Sequence, residues 1–138
     1  MYQNVLIATD GSEGTARATR HAVGIADRFD ATVHALSVIE RIEKSDQLRS
    51  DADAEAERAV EAVVEEGAKS RVEVVTEIRE GMPENEILNY VDEHDIDLVV
   101  VGTHGRTGLD RMIVGSVAED VLRESPVPVV TVRPAEDL

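Results

Sequence analysis

The apolar run Leu98-Val99-Val100-Val101 leads directly into Gly102-Thr103-His104-Gly105, and after nine further residues the chain reads Gly115-Ser116. Apolar strand, glycine loop, Gly-Ser and helix form the order that a phosphate-bearing ligand needs. Glycine lets backbone N–H groups approach an anion with no Cβ in the way, and a helix N-terminus adds unpaired donors and the positive end of a dipole. Ser116 can add a hydroxyl donor. The dipole alone gives a bound anion only about 0.3–2 kcal/mol, so several backbone donors must share the task. On a purely structural reading, the same glycines would serve tight turns and a helix start.

Other polar residues can be weighed in the same way. Asp10 ends the run Val5-Leu6-Ile7-Ala8-Thr9, where a carboxylate could bind ribose hydroxyls or a phosphate-bound divalent cation. Asp10-Gly11-Ser12 would equally well form a turn that caps the next helix. His104 lies inside the glycine loop, but no second group at a recognisable spacing marks it as a general base, and no residue is assigned a catalytic role. Arg106 and Arg111 flank the loop and could offset phosphate charge or pair with Asp110. His21, His34 and His94 are dispersed, without metal-ligand spacing.

The pattern G-x2-G-x9-G-[ST], with Val5-Leu6-Ile7-Ala8-Thr9-Asp10-Gly11-Ser12 near the start and Pro126-Val127-Pro128-Val129-Val130 near the end, resembles the universal stress protein family. The resemblance covers essentially the whole chain, and the glycines resemble the branch that binds ATP. It implies that Gly102 and Gly105 wrap the sugar and first phosphates. Gly115 and Ser116 would receive the distal phosphates, with the Val117 amide in reach. Val38 resembles the position whose backbone meets the adenine edge, Ala8 and Thr9 line the pocket, and His104 and Arg106 stand beside ribose or phosphate. The implied cofactor is ATP with Mg or Mn, and Asp10 is the candidate contact to a phosphate-bound ion. A homodimer through the fifth strand, Val127 to Val132, is implied as well.

Composition narrows the partners. A formal net charge of −15 argues against nucleic acid and anionic membranes, both of which present negative charge. Of 14 basic residues only Lys44 and Lys69 are lysines, against 29 acids, a balance that resembles proteins adapted to high salt. Tyr2, Phe29 and Tyr90 are the only aromatics, so a core must come from Val, Ile, Leu and Ala, the mix of a parallel sheet covered by helices. No cysteine is present, which excludes disulfides and thiolate chemistry. No apolar run approaches membrane-spanning length and strand-like sequence begins by Asn4, so a cytoplasmic protein is expected.

Along the chain, strands are expected at Asn4 to Thr9, Thr32 to Val38, Arg71 to Ile78, Leu98 to Val101 and Val127 to Val132. Helices are expected at about Glu13 to Phe29, within Asp46 to Lys69 with an end near Gly67, at Pro83 to Glu93 and at Ser116 to Glu124, with a polar connection before Ser45. Alternating strands and helices predict right-handed crossovers and an open parallel sheet, a single α/β domain over residues 1–138 with helices on both faces. The family resemblance supplies the Rossmann-like strand order 3-2-1-4-5. With that order, Asp10 and Gly102 meet at the crevice where the winding reverses. The function expected is a regulatory protein of the stress response that holds ATP. The alternative is a slow ATP hydrolase or phosphoryl-transfer enzyme, against which stand the missing G-x4-G-K-[ST] loop and the absence of a lysine in the motif.

Overall fold

The computed structural model describes residues 1–40, 45–103 and 116–134. The elements are β1 (Asn4–Ala8), α1 (Glu13–Phe29), β2 (Thr32–Ile39), α2 (Asp46–Lys69), β3 (Val74–Glu80), α3 (Pro83–Glu93), β4 (Leu98–Gly102), α4 (Ser116–Glu124) and β5 (Val129–Val132). The helices keep close to the bounds read from the sequence, with α2 running two residues past the end expected near Gly67, because their punctuation is local. The Ser45 hydroxyl accepts from the Leu48 amide at 3.1 Å and opens α2, Pro83 occupies the first turn of α3, and Asp30 closes α1 in the left-handed region.

The five strands are parallel in the order β3-β2-β1-β4-β5. Side chains alternate between the two faces of a strand, so each central strand feeds two cores. Val5, Ile7, Val33, Ala35, Leu98 and Val100 face Ala18, Ala22 and Ala26 of α1 and Val60 and Val63 of α2. Leu6, Leu36, Val99 and Val101 face Ile87, Tyr90 and Val91 of α3 and Val121 of α4. Each fully buried Val, Leu or Ile contributes about 1.5–3 kcal/mol relative to exposure. Among the described residues no helix is long and apolar enough to cross a membrane.

β1, β2 and β4 end within one residue of their expected spans, whereas β3 and β5 start two or more residues late. β3 starts at Val74 rather than Arg71 because the end of α2 takes up the intervening residues. Arg71 has φ 58°, and the Val72 amide donates to the Gly67 carbonyl at 2.9 Å. β5 starts at Val129 rather than Val127. The Ser125 hydroxyl bonds both the amide and the carbonyl of Val127, and Pro128 has no N–H to give, although its carbonyl accepts from Val99 at 3.0 Å.

His34 points from β2 into the α3 side, where it is buried. Asn4 Oδ1 can only accept, so His34 Nε2 carries the hydrogen of that 3.0 Å bond, and Nδ1 accepts from the Tyr90 hydroxyl at 2.7 Å. Burial, and secondarily the nearby His94, push its pKa below the ordinary histidine value, with Glu73 opposing. His34 is therefore neutral in the folded chain, while the unfolded chain takes up a proton at about pH 6.5. The stability that His34 provides is then complete above that pH and is lost on acidification. In paired thermal melts, the margin of wild type over His34→Asn should be largest near about pH 8 and shrink below about pH 6.5. A margin that stays constant would contradict a buried neutral His34.

Two glycines make opposite predictions. A Cβ on Gly102 would stand 2.6 Å from the Gly14 carbonyl oxygen, so α1 can lie on β4 only where β4 ends in glycine. Gly24, in the middle of α1, has no atom within 4 Å of that position. By urea unfolding, Gly102→Ala should destabilise by about 1–3 kcal/mol, as overpacking does. Gly24→Ala should stabilise by about 0.5–1 kcal/mol, as helix propensity alone dictates.

Candidate functional site

From β1 the chain crosses to α1, and α1 and α2 cover one face of the sheet while α3 and α4 cover the other. The winding therefore reverses between β1 and β4. In open parallel sheets the strand ends at such a reversal are not bridged by a connection, which leaves a crevice beyond their C-terminal ends.

On the β1 side the turn is built by short hydrogen bonds. The Thr9 amide donates to the Leu36 carbonyl at 2.9 Å, which extends the ladder one residue past the strand. The Thr9 hydroxyl accepts from the Gly11 amide at 3.1 Å and donates to the Thr15 hydroxyl at 3.0 Å, and Thr15 donates to the Ser12 carbonyl at 3.0 Å. Asp10 Oδ1 accepts from the Ser12 amide at 2.9 Å. Gly11 adopts φ +79°, and a Cβ there would come 3.3 Å from Ala59 Cβ of α2, so glycine is required on both counts. The capping expected of Asp10-Gly11-Ser12 is thus divided. Ser12 stands at the N-cap position with its side chain making no cap bond, and Asp10 satisfies an amide instead.

On the β4 side, Gly102 is half-buried and Thr103 buried, with the Thr103 amide donating to the Val132 carbonyl at 3.1 Å. Ser116 opens α4 exposed, and Val117 follows half-buried in its first turn. Ala8, Val38 and Val117 come from three different elements, yet all three pack half-buried on the same core, the one shared by α3 and α4. His104, Gly105, Arg106 and Gly115, along with Arg111, lie outside the described residues. Among the described residues no group of three or more His, Asp or Glu could hold a metal ion.

Two atoms at this end of the sheet stand out. Ser12 Oγ, at the start of α1, and Thr103 Oγ1, just past β4, are buried side-chain oxygens with no hydrogen-bond partner among the described residues. Buried hydroxyls are rarely left so, because each costs about 1–3 kcal/mol. Thr103 stood in the sequence pattern only as spacing between two glycines. The available signal was a hydroxyl directly behind an all-apolar buried strand.

The sequence profile described as the Universal stress protein family matches residues 1–133. The chain belongs to the universal stress protein family. A universal stress protein of Methanocaldococcus jannaschii is 36% identical to it over 144 residues, which cover 96% of this chain and 83% of that protein. Among solved structures, the universal stress protein UspA of Lactobacillus plantarum superposes with a TM-score of 0.82 at 31% identity, covering 96% of this chain and 98% of that one. A universal stress protein in complex with cAMP superposes with a TM-score of 0.74 at 26% identity, covering 97% and 98%.

Replacing the Thr103 hydroxyl by a methyl group removes an unpaired oxygen at constant shape. In this universal stress protein, Thr103→Val should leave the stability of the ligand-free protein unchanged or raise it by up to about 1–3 kcal/mol. A loss of stability would show that this hydroxyl serves the fold.

Proposed function

We propose that this universal stress protein is an ATP-binding regulatory protein, with the nucleotide held in the β1/β4 crevice. The observation that carries the reading is the pair of buried, unpartnered hydroxyls, Ser12 and Thr103, at an end of the sheet where Ala8, Val38 and Val117 share an apolar rim. A ligand that is apolar at one end and rich in acceptors at the other meets both. An adenine ring would lie against Ala8 and Val38, ribose near Thr9 and Asp10, and phosphates near Gly102, Thr103 and the first turn of α4. The cAMP bound by a solved relative is of this adenine-nucleotide class.

ATP with Mg or Mn would bring a divalent charge to the phosphates, and Asp10 is the carboxylate placed to meet it. His104, Gly105, Arg106 and Gly115 complete the reading from the sequence pattern. The chain would hold ATP rather than turn it over, since the motif provides no lysine to neutralise transferred charge. The acidic, lysine-poor composition fits a cytoplasmic protein of a salt-rich interior.

Calorimetric titration with Mg-ATP tests the site. Wild type should bind at micromolar to millimolar strength, and Gly115→Val, which sets a branched side chain before the start of α4, should abolish the heat. Unchanged affinity in that variant would remove the proposed site.

We also propose a homodimer through β5. It is the end strand of the sheet, so one row of its backbone groups is left without a partner strand, and a second copy can cover it. Pro128 and Pro134 bracket the strand and limit the ladder to a few residues. Light scattering in molar salt should give at least twice the protomer mass at micromolar concentration, and a monomer would refute the pairing.

A further inference from the structure

In a chain of net charge −15, the outer face of α1 is cationic. Arg20, Gly24 and Arg28 form one row of residues four apart, and Arg17, His21 and Ile25 form the next, ending at Phe29. Between the rows runs an open cavity of about 660 Å³, away from the β1/β4 crevice. Arg17, Arg20, His21, Gly24 and Arg28 are exposed. Ion pairs among the described residues engage other basic groups, Lys69 with Glu66, Arg79 with Glu77, Glu86 and Glu93, and Arg123 with Glu119 and Asp120. Among the described residues Arg17 makes a long 3.4 Å bond to the Arg133 carbonyl. The middle of the groove is Gly24, with open space above its backbone. Glycine weakens the middle of a helix and nothing among the described residues requires it here, so the residue suits close approach from outside.

Rows of residues four apart are the ridges by which helices interdigitate, crossing at about −50° when both helices use them. The groove therefore fits a helix, and its charge selects an acidic ridge. The chain carries one. Glu57, Glu61 and Glu65 of α2 are all exposed and four apart. From Glu57 to Glu65 is eight residues, about 12 Å along the axis, the same as from Arg20 to Arg28. Both helices cover the same face of the sheet. A two-fold axis can therefore set α1 of each copy against α2 of the other.

We propose that the groove between the Arg20-Gly24-Arg28 and Arg17-His21-Ile25 rows of α1 receives the Glu57-Glu61-Glu65 ridge of α2 from a second copy of this chain. The net charges of the two copies repel, so the contact forms where salt screens the bulk repulsion while the pairs themselves meet at contact distance. It is separate from the nucleotide crevice and from β5.

The test is a charge swap read by sedimentation equilibrium in about 0.5 M KCl, where the screening length is roughly 4 Å. One variant carries R17E, R20E and R28E; the other carries E57R, E61R and E65R. Each alone should lose the association step that wild type shows, weakened at least 10-fold, and an equimolar mixture of the two should recover it as a mixed complex. If general repulsion governed association instead, the arginine-enriched variant, with less net negative charge, would associate more tightly than wild type, and that result overturns the proposal. So does a mixture that stays dissociated, or a wild type no heavier than either variant. Gly24→Leu supplies the second arm. It should weaken association at least 10-fold while the melting temperature stays level or rises, and unchanged association would show that no helix lies across Gly24.

Discussion

The structure depends on the burial of β1 and β4 from both sides. Val5, Leu6, Ile7, Val99 and Val100 are wholly inaccessible to solvent. A parallel strand covered by helices on both faces has no solvated side, so every residue along it must be apolar. Polar chemistry is thereby driven off the strands to their ends. At the C-terminal ends of β1 and β4 the first polar residues are Thr9, Asp10 and Thr103, and the reversal of winding sets those two ends side by side.

That constraint gives the glycines two kinds of work. Gly11 permits a left-handed turn under α2, and Gly102 lets β4 run close beneath the Gly14 carbonyl. Both are accounted for by packing of the fold, whatever else they admit. The hydroxyls behave differently. Thr9 and Thr15 satisfy each other and the turn backbone, whereas Ser12 and Thr103, at the same end of the sheet, leave oxygens unpaired. A turn stabilised by its own bonds can hold such groups ready, because their orientation does not depend on a ligand.

Charge is distributed as unevenly as polarity. The acids are concentrated on α2, while the outer face of α1 gathers three arginines around a glycine. Arg79 on β3 shows the other arrangement available to an arginine here. It is mostly covered, ion-paired to Glu77, Glu86 and Glu93, and lies 5.0 Å from the centre of the Tyr90 ring. The paired arginine braces the β3 edge against α3, and among the described residues the arginines of α1 have no such neighbour.

Much was legible in the sequence because the deciding forces are local. Ser45, Pro83 and the residues at the end of α1 fix helix bounds within a few residues of themselves, and the Val-rich runs specify buried strands by composition alone. The strand order came with the family resemblance and not from the alternation, which several topologies satisfy. β3 and β5 begin late because Gly67 and Pro128, a few residues before each, govern their entry. Other features were set by partners distant in sequence: His34, read as one dispersed histidine, becomes a buried neutral ring only because Asn4 and Tyr90 meet it. The sequence by itself determined the secondary elements, the two-sided apolar sheet and the glycine pattern, since each follows from residue type and short-range spacing. Only the tertiary structure decided which hydroxyls are buried without partners, that Ala8, Val38 and Val117 share one core, and that Gly24 opens to empty space, because burial and contact depend on what the rest of the chain brings near.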